Sequence, residues 1–266
     1  MMVIDSLTHV TSDGRWFNTN CDASIDRLLF EMAENGIDKA VVVALADYID
    51  NEFVLEICRK HPKRFIPGAS FNPCKYNNVR EVKLAIRSEL YEHSFRIIKL
   101  HPRLNMYDPL DPRCLAILDE LSSWDRKWFV WLDTLLYYPG GFRHRSVVDT
   151  LHEIVCRYPN LFFVLLHGGG SRVLSLTEAM QGCTNVFIDI SYTLCRYAQS
   201  SIWYDLQFLI NTFDRRIIFG SDFPEISLST AMSVMRSLTP NIAEDKVLNV
   251  LGMNLERLLT TCDIVL

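Results

Sequence analysis

Ile217-Ile218-Phe219-Gly220-Ser221-Asp222-Phe223-Pro224 is the stretch that decides the fold. A short apolar run ending in Gly-Ser-Asp-x-Pro reads as a buried strand with a carboxylate at its carboxyl end. A lone Asp there is ordinarily a helix N-cap or a turn residue. In a barrel of parallel strands, the same position is the catalytic rim. Working outward, other strand ends carry residues of the same kind, and they favour the rim.

Seven more β-rich runs precede this one: Met2–Asp5, Lys39–Leu45, Phe65–Phe71, Phe95–Leu100, Trp128–Leu132, Phe162–Leu166 and Val186–Ile190, with Ile217–Phe219 the eighth. Most are continuous apolar runs, as expected of parallel strands covered on both faces. Helical segments lie between them. Ser24–Asn35 puts Ile25, Leu28, Leu29 and Met32 on one face and stops at Gly36. Arg113–Ser123 and Val147–Tyr158 show similar faces. Regular β/α alternation over the whole length predicts a single α/β domain, residues 1–266, folded as a (β/α)8 TIM barrel. A doubly wound open sheet is the structural alternative, but no GxGxxG follows an early strand and there is no P-loop.

Composition narrows the function classes. The 266 residues suffice for one large domain, and 49% hydrophobic with 22% charged is ordinary for a globular protein. A net charge of −5 argues against a nucleic-acid surface. No apolar run approaches the roughly 20 residues that span a membrane, and no signal peptide opens the chain. The eight cysteines show no CxxC or zinc-finger spacing, so they read as reduced thiols of a cytoplasmic protein.

The strand ends supply the chemistry. In order they read Asp5-Ser6-Leu7-Thr8-His9, Asn72-Pro73, Lys99-Leu100-His101-Pro102, Asp133-Thr134, His167-Gly168-Gly169-Gly170, Asp189-Ile190-Ser191-Tyr192 and Asp222. Three of the seven histidines and several carboxylates thus converge on one end of the barrel. His61, His93 and His152 fall in or beside helices and read as solvated. Imidazole and carboxylate together suit a first-row divalent metal, which acidifies water and polarises a carbonyl. The Asp222 carboxylate is placed to take a proton from such a water.

These residues resemble the amidohydrolase superfamily of metal-dependent (β/α)8 enzymes, in particular the branch with aminocarboxymuconate-semialdehyde decarboxylase and the pyrone-dicarboxylate lactonases. The likeness rests on Ile4-Asp5, Ile98-Lys99-Leu100-His101-Pro102, His167-Gly168-Gly169, the Gly220-Ser221-Asp222 stretch and the closing Leu251-Gly252-Met253-Asn254-Leu255-Glu256-Arg257-Leu258. It implies one divalent metal, zinc or manganese, with His9, Asp133, Asp222 and His167 as ligands, and Asp222 and His167 as the catalytic pair. Two departures stand out. The pattern Asp-x-His-x-His reads Asp5-Ser6-Leu7-Thr8-His9, with Leu7 in place of the first histidine, and Asp133 stands where the family has a histidine. Some lactonase-type relatives work without a metal, so the resemblance also admits a site that holds none.

Substrate contacts are expected from Lys99, His101 and Arg103 after the fourth strand and from the loop Tyr137-Tyr138-Pro139-Gly140-Gly141-Phe142-Arg143-His144-Arg145. Arg143 and Arg145 suit a bidentate clamp on a carboxylate. Trp16 and Phe17 are candidate walls of the pocket. The predicted activity is hydrolysis of a small carboxylated ester, lactone or amide. A non-oxidative decarboxylase on the same groups is the enzymatic alternative, and a non-catalytic binding homologue the alternative of another class. A homodimer is compatible with the exposed aromatic loops.

Overall fold

The computed structural model describes residues 2–91, 95–136 and 146–261. Eight strands form one parallel sheet in chain order: β1 (Ile4–Thr8), β2 (Lys39–Val43), β3 (Phe65–Ser70), β4 (Ile97–Leu100), β5 (Phe129–Asp133), β6 (Phe162–Leu166), β7 (Val186–Asp189) and β8 (Ile217–Ile218). β8 is short, yet the chain beyond it follows β1. Ser6 N donates to Phe219 O at 3.1 Å, Asp222 N to Leu7 O at 3.0 Å and His9 N to Phe223 O at 2.8 Å. These bonds close the TIM barrel and hold Asp222 against the end of β1.

Burial on both faces explains the apolar runs. Residues Ala40, Val42, Ile98, Val130, Leu132, Phe163, Leu165 and Ile217 pack outward with the helices. Their neighbours Ile4, Leu7, Val41, Val43, Ile66, Ile97, Phe129, Trp131, Val164, Leu166 and Ile218 fill the interior, plugged at one end by Leu255, Leu258 and Leu259 of the last helix. Alternation along a strand then aims particular polar residues inward at the rim. Lys99 continues the line of Ile97, and Asp133 that of Phe129 and Trp131.

The predicted helices are found as Ile25–Glu34, Pro112–Ser123 and Val147–Arg157. Ser24 caps the first by accepting from Arg27 N. β1 corrects the expected end at Asp5 and runs three residues further. Asp5 pairs with Ala40 but Thr8 with Val42, so β1 carries one extra residue, a bulge. Of its polar side chains, Thr8 is satisfied, its Oγ1 donating to Val41 O at 2.9 Å, whereas Asp5 keeps one buried oxygen without a partner among the described residues.

Candidate active site

The carboxyl rim encloses a cavity of about 350 Å3 lined by His9, Trp16, Phe17, Lys99, His101, Arg103, His167, Tyr192, Asp222 and Glu225, with Leu45 and Leu104. Eight of these, His9, Trp16, Phe17, Lys99, His101, Arg103, His167 and Asp222, were singled out from the sequence. Arg143 and Arg145 lie outside the described residues.

His9 sits just past β1, fully buried. Its Nδ1–H donates to Val43 O at 2.7 Å, which leaves the Nε2 lone pair to accept from Lys99 Nζ at 3.0 Å. Burial and the Lys99 charge hold His9 well below the usual imidazole range, so it is neutral. Burial also lowers Lys99, while the Asp222 and Asp133 charges oppose that shift. No described carboxylate comes within bonding distance of Lys99. Its partner is His9.

Asp133 ends β5 with no exposure to solvent. Its Oδ2 lies 3.3 Å from Arg103 Nη2, 3.3 Å from His167 Nε2 and 3.5 Å from His101 Nδ1, and its Oδ1 accepts from Leu135 N at 3.1 Å. Burial alone would raise this carboxyl, but the neighbouring imidazoles and the Arg103 guanidinium outweigh it and hold it well below the usual range. His167 Nδ1 lies 3.1 Å from Ser191 Oγ, and that hydroxyl donates to Asp189. Both nitrogens of His167 therefore face acceptors. Burial disfavours its charge, but Asp222 and Asp133 prevail and raise its pKa. Both ring nitrogens of His167 are thus engaged, and the two carboxylates favour its charged form.

His101 is a different case. Burial pushes it down to about 3, and its Nδ1 accepts from Leu104 N at 3.3 Å, capping the short helix Pro102–Asn105. It lines the cavity as a neutral ring. Arg103 spends one nitrogen on Asp133, while its buried Nε has no bonding partner among the described residues.

Asp222 is half-buried and has a left-handed backbone, φ 67°. Its side chain makes no hydrogen bond among the described residues. The closing bond from its own N–H to Leu7 O stabilises that backbone conformation. Gly220, two residues earlier, is required by space. A Cβ there would lie 2.5 Å from Ser6 Oγ and 2.7 Å from Asp189 Oδ2. Ser6 and Asp189 are hydrogen-bonded to one another, and Asp189 Oδ1 accepts from His167 N at 3.1 Å. Asp189 and Ser191 thus orient His167.

Sequence reasoning placed Tyr192 at a strand end without giving it a role and missed Glu225. Tyr192 follows Ser191 and places its ring edge-on to His167, centroids 5.8 Å apart. Glu225 Oε2 accepts from Trp16 Nε1 at 3.0 Å, tying the loops after β1 and β8. Trp16 stacks on His9 at 5.5 Å, and Phe17 meets Trp16 edge-on at 4.7 Å. The signal for both residues was their nearness to a strand end.

The donor set does not fit a metal in this arrangement. Among the described residues, no three of His9, Asp133, His167 and Asp222 bring ligand atoms within 4.8 Å of one another. Asp133 is committed to cationic and imidazole partners, and both ring nitrogens of His167 lie against protein acceptors. A metal-binding imidazole must offer a lone pair. Leu7, fully buried among Ile4 and Trp131, fills the interior where a ligand would project.

An eight-stranded parallel barrel with titratable groups gathered at its carboxyl rim is the class of a TIM-barrel enzyme. An amidohydrolase family profile matches residues 5–234, and the chain belongs to that family. By that membership it is an enzyme. No curated protein matches the sequence. Among solved structures, an uncharacterised TIM-barrel protein from Bordetella bronchiseptica is similar with a TM-score of 0.81, 19% identity and coverage of 98% of this chain and 99% of its own. A probable 2-pyrone-4,6-dicarboxylic acid hydrolase from Acinetobacter baumannii, with citric acid bound, gives 0.67 at 17% identity over 98% and 100%. A 5-carboxyvanillate decarboxylase from Novosphingobium aromaticivorans, complexed with manganese and a nitrobenzoic acid, gives 0.65 at 14% identity over 97% and 96%. No helix among the described residues is long and apolar enough to cross a membrane.

Proposed function

We propose that this protein hydrolyses a small carboxylated ester, lactone or amide at the barrel rim, with its own cations in the role that a metal plays elsewhere in the superfamily. The observation that carries this reading is the pairing of Lys99 Nζ with His9 Nε2 at 3.0 Å in a cavity also lined by Asp222, whose carboxylate makes no hydrogen bond among the described residues.

The roles follow from the hydrogen bonds already spent. Asp222 is the general base. It takes a proton from water as the water oxygen bonds to the substrate carbonyl carbon, then returns that proton to the leaving oxygen or nitrogen as the old bond breaks. The carbonyl oxygen gains charge in that step, and Lys99, whose described hydrogen bond uses only one N–H, is the donor for it. His167 adds positive charge and keeps Asp133 ionised, while Asp133 aligns Arg103. The unpartnered Arg103 Nε is suited to a substrate carboxylate. The cavity volume fits a small molecule, and the Trp16–Phe17 wall suits a flat ring. Relatives that hold citric acid or a benzoic acid support an acidic substrate. Arg143 and Arg145 remain candidates for a second carboxylate contact. A cytoplasmic location and a homodimer remain expectations consistent with this reading.

The test is turnover of a panel of small carboxylated lactones, esters and amides by wild type and Asp222→Asn. Loss of about 100-fold or more in kcat is expected for removal of a general base. CO2 release from an aromatic acid by the wild type, with no hydrolysis, would instead assign the rim to decarboxylation.

A further inference from the structure

At the opposite end of the barrel from the rim, His152, Cys156 and Cys183 come together, and their ligand atoms all lie within 4.8 Å of one another. His152 and Cys156 are one turn apart on the helix Val147–Arg157 and share a face. Cys183 belongs to the turn after the helix Val173–Ala179, just before β7 begins at Val186. Neither the spacing nor the composition marks this group, because 27 residues separate the two cysteines.

Two of the three separations match those around a coordinated ion, and the third lies within 4.8 Å. Cys156 Sγ lies 3.9 Å from Cys183 Sγ and 3.5 Å from His152 Nε2. Around a tetrahedral zinc ion, with Zn–S of about 2.3 Å and Zn–N of about 2.0–2.1 Å, two sulfurs stand about 3.8 Å apart and sulfur and nitrogen about 3.6 Å. Both observed separations agree within about 0.1 Å. A disulfide needs its sulfurs about 2.05 Å apart, far closer than these.

The scaffold holds the three groups in place. Arg216 Nη1 donates to Cys183 O at 2.6 Å and to Met180 O at 3.1 Å, fixing the turn. Asn185 Nδ2 donates to Tyr158 O at 3.2 Å and to Leu161 O at 2.9 Å, locking that turn to the end of the helix that bears Cys156. Two thiolates and an imidazole select a soft or borderline d10 ion over calcium or magnesium. Three protein ligands leave a fourth position to water or an outside ligand.

We propose that His152, Cys156 and Cys183 form a zinc site that clamps the helix Val147–Arg157 to the turn preceding β7. The amino-terminal end of a barrel serves stability rather than chemistry, so this ion is a structural clamp and independent of turnover at the rim.

Cobalt(II) is the probe, because thiolate ligation gives it a sulfur-to-metal charge-transfer band and tetrahedral geometry gives intense visible bands. The cavity lining at the rim contains no cysteine, so a rim-bound ion would give no sulfur band. Full-length reduced protein titrated with cobalt is expected to develop both bands, saturate at one equivalent and lose them on adding zinc. Cys156→Ser and Cys183→Ser should each abolish the charge-transfer band, and His152→Ala should weaken binding while retaining sulfur character. Melting curves without metal check that each variant folds. Absence of the band in reduced wild type would overturn the proposal, as would its survival in the double Cys156→Ser, Cys183→Ser protein. So would a mass showing that freshly purified protein has lost two hydrogens to a Cys156–Cys183 disulfide.

Discussion

Replacing Asp133 by Asn removes one charge and preserves the shape of the side chain. The carboxylate is wholly buried and serves Arg103 and His167 through the same oxygen, each at 3.3 Å. Taking one partner from a buried ion pair costs about 3–5 kcal/mol. Two features reduce that figure. The Arg103 side chain is 40% exposed, so water takes over part of its solvation. His167 can give up its proton rather than remain an unpaired buried cation. We expect a loss of about 2–3 kcal/mol, which lowers Tm by roughly 5–10 °C in a domain of this size. The pH dependence has a definite sign. His167 is raised above its unfolded value, so its share is present below about pH 6.5 and fades as pH rises through the folded value. Asp133 is depressed, so its share is present above about pH 4 and is lost only as pH falls through that depressed value. The gap in Tm between wild type and Asp133→Asn should be widest at roughly pH 4.5–6 and narrow toward alkaline pH. Thermal melts of both proteins across that range provide the assay. A gap that stays constant or widens with rising pH would refute the assigned charge states.

Three other substitutions probe separate parts of the account. Asp5, raised to about 7 by burial, binds its proton more tightly folded than unfolded, so it costs stability as pH rises between those two values. Asp5→Asn keeps an acceptor for Ser221 N and Leu7 N and should raise Tm above neutrality but not at acid pH; equal melts at alkaline pH would contradict this. Gly220→Ala puts a methyl group into the Ser6–Asp189 hydrogen bond and should cost about 2–4 kcal/mol by overpacking and bond loss, read from a urea midpoint; an unchanged midpoint would mean the network yields freely. Lys99→Met removes a buried charge at similar length, so Tm should hold or rise while kcat falls about 100-fold, and an undiminished kcat would remove Lys99 from the oxyanion role.

The barrel was legible because parallel strands buried on both faces must be apolar throughout, and all eight runs so read are strands. Their ends were less certain. The bulge in β1 and its continuation through Ser6, Thr8 and His9 depend on hydrogen bonds to β2 and to the chain beyond β8, which lie 30 to 220 residues away. The rim residues were found because alternation aims every second residue inward. Their partners were not. Nothing in the sequence shows that Lys99 bonds to His9 rather than to a carboxylate, or that Asp133 is taken up by Arg103 and His167. Reading Leu7 as a lost ligand agrees with its place in the apolar interior. The spatial cluster of His152, Cys156 and Cys183 was invisible for the same reason as the rim partners: the sequence order does not record which turns the barrel brings side by side.

The central claim is that Asp222 and the chain's own cations carry out the reaction. It is tested most directly by kcat/KM for a hydrolysable carboxylated lactone or ester, measured on chelator-stripped protein with and without added manganese or zinc. The account predicts the same kcat/KM in all three conditions and its loss in Asp222→Asn. Activity that disappears on stripping and returns with the metal would contradict it, and would mean that the rim rearranges around an ion.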